Sequence, residues 1–80
     1  MEEKIIMMFN LKGKVIDIEV PVKITATELI LGLNQGFHLG IDMDNPRECF
    51  LRAENPICLI RGDVALEDLG LRNGTKIFAP

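Results

Sequence analysis

The side chains able to do chemistry are few and scattered. His38 is the single imidazole, Cys49 and Cys58 are the only thiols, and no Ser occurs anywhere in the chain. A Cys–His pair is therefore the one nucleophilic arrangement the composition offers, and such a pair works only with an orienting third group and a pocket. Nothing in the sequence supplies either. His38 reads as a residue at a helix end. The two cysteines read as reduced core thiols, because a free Cys packs as a small hydrophobe and thiols stay reduced in the cytosol. One His and two distant Cys also fall short of the four clustered ligands of a structural zinc site. Asp42-Met43-Asp44-Asn45-Pro46 brings two carboxylates close together but lacks the Gly and terminal Glu of a calcium loop, so they read as solvated turn residues. Gly32, Gly36 and Gly40 stand four apart, which is expected to reflect close packing of a helix on a sheet together with helix termination. Asn73-Gly74-Thr75 has the form of a glycosylation acceptor and reads as a turn. The expectation is no catalytic residue, no metal and no cofactor.

The 80 residues carry 9 basic and 12 acidic side chains, a net charge of −3, and 48% hydrophobic residues with four Phe as the only aromatics. A chain of this size balances burial narrowly against ordering entropy, so nearly every apolar side chain must reach one core. Residues 1–80 are therefore expected to form a single domain. The acidic balance, without any run of Lys or Arg, would repel phosphate backbones and argues against nucleic acid. No stretch has the apolar length of a membrane span, and the start Met1-Glu2-Glu3-Lys4 is unlike a secretory signal. A cytoplasmic, soluble protein without membrane insertion is expected.

Ile5 to Leu11 and Val15 to Val20, separated by Lys12-Gly13-Lys14, predict a hairpin. In the second strand Ile16, Ile18 and Val20 alternate with Asp17 and Glu19, which places the apolar set inward. In the first, the odd positions Ile5, Met7, Phe9 and Leu11 are all apolar and are assigned to the core. The turn leaves a competing parity open, since a type I turn over Asn10-Leu11-Lys12-Gly13 with Gly left-handed would flip the strand. Thr25-Ala26-Thr27-Glu28 has the hydroxyl and Glu spacing of a capping box, so a helix should begin near Ala26. Ala26, Leu29, Ile30 and Leu33 give it one apolar stripe, extended by Phe37, and Gly36 or Gly40 should end it. A third strand is expected around Cys49 to Ala53, a fourth over Ile57 to Ile60, a compact Leu-bearing loop over 66–75, and a last strand over Lys76 to Ala79.

Strand, strand, helix, strand, strand, strand is the element order of a ubiquitin-like β-grasp, an α+β fold in which a mixed sheet of four to five strands packs on one helix. Leu66-x-Asp68-x-x-Leu71-x-x-Gly74-x-x-Ile77 resembles the segment before the last strand of ubiquitin-like domains. Within that superfamily, Asp17-Ile18-Glu19-Val20-Pro21, Glu28-Leu29-Ile30-x-x-Leu33 and Leu69-Gly70-Leu71-Arg72-Asn73-Gly74 are similar to the small YukD/EsaB proteins of bacterial type VII secretion, although the hairpin loop is shorter than is usual there. The resemblance implies an accessory or regulatory part in that secretion, exerted by binding a protein partner in the membrane-embedded export machinery. A second reading is a small ubiquitin-like subunit of a multicomponent enzyme such as a bacterial monooxygenase. The chain ends Lys76-Ile77-Phe78-Ala79-Pro80, without the terminal Gly-Gly through which ubiquitin and sulfur carriers react, so covalent conjugation is not expected.

Apolar residues on the wrong strand face identify the expected site. With Ile77 and Ala79 inward, Phe78 faces out, as do Ile6, Met8 and Phe50 by the same alternation. In a β-grasp sheet the last strand lies between the first and third, so these four should sit side by side as an apolar patch edged by Arg52 and Lys76. Ile6, Met8, Phe50, Arg52, Lys76 and Phe78 are the candidate protein-binding residues. Self-association of the chain stays open.

Overall fold

The computed structural model describes residues 3–80, and the sequence reading at Met1 and Glu2 lies outside them. Strands β1 (Lys4–Leu11) and β2 (Lys14–Pro21) precede the helix α1 (Ala26–Phe37). Strands β3 (Leu51–Glu54) and β4 (Cys58–Ile60), a 3₁₀ turn over Leu66–Leu69, and β5 (Lys76–Phe78) follow. The sheet order is β2-β1-β5-β3-β4, with β1 and β5 parallel and the other pairs antiparallel. This mixed five-stranded sheet on one helix is the ubiquitin-like β-grasp.

The hairpin turn settles the parity of β1. Leu11 pairs with Lys14, so the loop has only two residues, and Lys12 and Gly13 both take positive φ, at 49° and 80°. That is a primed turn, whose twist matches the flanking strands, in place of the type I turn over Asn10 to Gly13. Ile5, Met7 and Phe9 are accordingly buried, and Leu11 packs at the core's margin. Ile16, Ile18 and Val20 point the same way but are only half-buried, because β2 is an edge strand with no neighbour on its far side.

Helix α1 begins where the capping box places it. The Thr25 hydroxyl accepts from the Glu28 N–H at 3.1 Å, and the Glu28 carboxylate accepts from the Thr25 N–H at 3.2 Å. Ala26, Leu29, Ile30 and Leu33 are buried against the sheet, and the Phe37 ring lies 5.2 Å from that of Phe9. The helix ends at neither glycine. His38 itself takes the left-handed conformation, φ 53°, and its N–H donates to the Asn34 carbonyl. The Asn34 side chain then fixes the exit, donating to the Ile41 carbonyl at 2.9 Å and accepting from the Ile41 N–H at 3.0 Å. Close packing does not explain Gly32 and Gly36, since a Cβ at either would have nothing within 4 Å.

The second half departs from expectation mainly at its boundaries. β3 starts at Leu51, two residues later than expected, because the chain from Asn45 to Cys49 is tied into turns by the Asn45 carbonyl and side chain. β4 begins at Cys58, the Leu-rich loop holds a 3₁₀ turn over 66–69, and β5 stops at Phe78. Cys49 and Cys58 are half-buried at the margin of the core instead of inside it. Thr75 is fully buried, and its hydroxyl accepts from the Arg72 N–H and donates to the Asn55 carbonyl. Among the described residues every buried side-chain polar atom has a partner, and no helix is long and apolar enough to cross a membrane.

Candidate functional site

The groups singled out for chemistry stay apart. Burial pushes the Cys58 thiol up from its ordinary value, the opposite of what activates a nucleophile. His38 lines a small cleft of about 270 Å³ with Asn10, Lys12 and Phe37, and neither cysteine lines it. The Asp42 carboxylate accepts the Asp44 N–H at 3.0 Å and so caps a turn. Among the described residues no three His, Cys, Asp or Glu gather as a metal set.

The sheet face turned away from α1 offers a surface instead. Ile77, Ala53, Leu51 and Ile60 are buried beneath the helix, so their neighbours Phe78, Arg52 and Leu59 point outward. Register defines the rows on that outer face. Phe78 stands opposite Asn10 on one side and Arg52 on the other, and Arg52 stands opposite Leu59. Lys76 lies between Met8 and Glu54, Met8 is opposite Asp17, and Ile6 is opposite Glu19.

Register divides the four-residue patch drawn from alternation. Ile6 and Met8 follow one another on the outer face of β1, Met8 stands opposite Lys76 while Phe78 stands opposite Asn10 and Arg52, and Phe50 precedes β3. All four nonetheless stay out of the core. Ile6 is 50% exposed, and Met8, Phe50 and Phe78 are half-buried.

The apolar surface gathers at the β3–β4–β5 end. An open groove of about 980 Å³ is lined there by Phe50, Arg52, Ile57, Leu59, Phe78 and Pro80 among others, while Ile6, Met8 and Lys76 lie outside it. Three of the six expected residues, Phe50, Arg52 and Phe78, are thus brought together. Ile57 and Leu59 complete the groove, 89% and 48% exposed. They escape a reading of the sequence because Ile57 to Ile60 is apolar throughout and carries no period to mark a face. The available signal is positional, since a sheet covered by a single helix buries only one of its faces. The exposed Ile57 and Leu59 thus stand with the half-buried Phe50 and Phe78 on one face, and Arg52 lies in register between Leu59 and Phe78.

No family model and no curated protein matches the chain. Among solved structures, the chain is similar to the ubiquitin-like domain of an Arabidopsis thaliana protein, determined in solution by NMR. The two superpose with a TM-score of 0.59 at 17% identity, covering 94% of this chain and 73% of that one.

Proposed function

We propose that the protein is a non-catalytic interaction module that captures a protein partner in the groove between Phe50, Ile57, Leu59 and Phe78. The observation that carries this reading is one groove on the sheet face that brings the exposed Ile57 and Leu59 together with the half-buried Phe50 and Phe78. Arg52 lies at the middle of the groove wall, opposite both Phe78 and Leu59. Its cationic head would set the orientation of the partner.

The partner is assigned by resemblance to the YukD/EsaB proteins, through the segments at Asp17–Pro21, Glu28–Leu33 and Leu69–Gly74. On that basis the module is an accessory or regulatory component of a bacterial type VII secretion system and docks from the cytoplasm onto its membrane-embedded export machinery. Affinity capture from the native cell, read by mass spectrometry, tests the assignment. Enrichment of the secretion ATPase or of WXG100-type proteins is expected. Enrichment of oxygenase subunits in their place would move the protein to the alternative class, a supporting subunit of a multicomponent enzyme.

A further inference from the structure

The two edges of the sheet are unequal. β4 has three residues, whereas β2 has eight and is open along its whole length. β1 turns its even-numbered residues toward β5: the Met8 N–H donates to the Thr75 carbonyl, and the Ile6 and Asn10 carbonyls accept from the Gly74 and Ala79 N–H groups. Its odd-numbered residues therefore bond β2, at their partners Lys14, Ile16, Ile18 and Val20. The N–H and C=O groups of Val15, Asp17 and Glu19 are left pointing outward, with no partner among the described residues. A row of this kind is a template for one more strand.

Side chains say which strand. Asp17 and Glu19 are exposed, and their cross-strand neighbours on β1 are the uncharged Met8 and Ile6, so neither carboxylate faces a cation in register. Self-pairing is disfavoured. In an antiparallel pair of two β2 edges, residues of one face meet residues of the same face. Every alignment near the strand centre then sets acid against or diagonal to acid. On the opposite face Ile16, Ile18 and Val20 are only half-buried, an apolar row whose burial stops at the edge.

From this we infer that β2 is a second docking edge, which accepts an extended segment carrying Lys or Arg at alternate positions and β-branched apolar residues between them. The cations would lie beside Asp17 and Glu19, and the apolar set would continue the row of Ile16, Ile18 and Val20 beneath the sheet. The site is independent of the groove at the other end of the sheet.

A twelve-residue peptide alternating Lys with Val tests it, titrated into the labelled full chain and followed by amide NMR. Binding should slow hydrogen exchange at Val15, Asp17 and Glu19 while leaving Ile16 and Ile18, already bonded to β1, unchanged. Methylating the peptide nitrogens that face β2 should abolish that protection. The double substitution Asp17→Lys with Glu19→Lys, at exposed positions, should weaken the basic peptide about tenfold and favour an alternating Glu-Val peptide. Ile57→Lys, in the groove, should change none of this. Equal affinity for both peptides, retained binding after N-methylation, shifts centred on Phe50 and Phe78, or no protection at millimolar peptide would each overturn the inference.

Discussion

Single residues divide into those whose role the sequence declares and those whose role depends on distant partners. Leu29 is 3% exposed on the buried stripe of α1, as its spacing predicts. Leu29→Ala should cost about 2–5 kcal/mol in denaturant unfolding, and an unchanged midpoint would contradict the packing. Gly32 and Gly36 looked equally purposeful at four-residue spacing, yet both are exposed and would meet nothing with a Cβ. Gly32→Ala should therefore stabilise the protein by about 0.5–1 kcal/mol, and a lowered melting temperature would show a contact absent from this structure. Thr75 was legible only as part of an Asn-Gly turn, because its partners at Arg72 and Asn55 are a matter of tertiary approach. Thr75→Val leaves the Arg72 N–H and the Asn55 carbonyl without their hydroxyl partner, and a loss of about 1–3 kcal/mol is expected from the same unfolding measurement.

Elements follow period and capping where these are strong. The capping box starts α1 at its expected residue, and the alternation in β1 outweighed the local preference for a type I turn, since a flipped strand would have carried Met7 and Phe9 into water. β3 and β4 were harder. Cys49 and Phe50 are as apolar as strand residues, but the Asn45 carbonyl and side chain hold the preceding chain in turns. In β4 the pairing of Cys58 with Ala53 places its thiol toward the helix side, where burial raises its pKa. At pH 8 its alkylation should be slower than that of the urea-unfolded chain, with the rate still rising above the ordinary thiol range. A rate equal to that of the unfolded chain would contradict the burial. The same shift makes a small contribution to stability that is complete below the ordinary thiol pKa and lost as pH rises through the raised one.

For the whole molecule, element order was enough to predict the β-grasp, including β5 between β1 and β3. The proposed docking groove was only half legible. Alternation tells which side chains leave the core, and it found Phe50, Arg52 and Phe78. Which of them become neighbours depends on register between strands remote in sequence, and this separated Ile6 and Met8 from the groove and brought Ile57 and Leu59 into it. The proposed function stands on that groove. Ile57, 89% exposed, can be changed there with little structural consequence. Ile57→Lys should leave unfolding free energy within about 0.5 kcal/mol of the parent while sharply reducing what the protein captures. The most direct measurement is quantitative affinity capture from the native cell with parent and Ile57→Lys side by side, both checked for equal melting temperature. The prediction is that secretion-apparatus proteins held by the parent fall at least about tenfold with the variant. Equal recovery of those proteins by the two would contradict docking through this face.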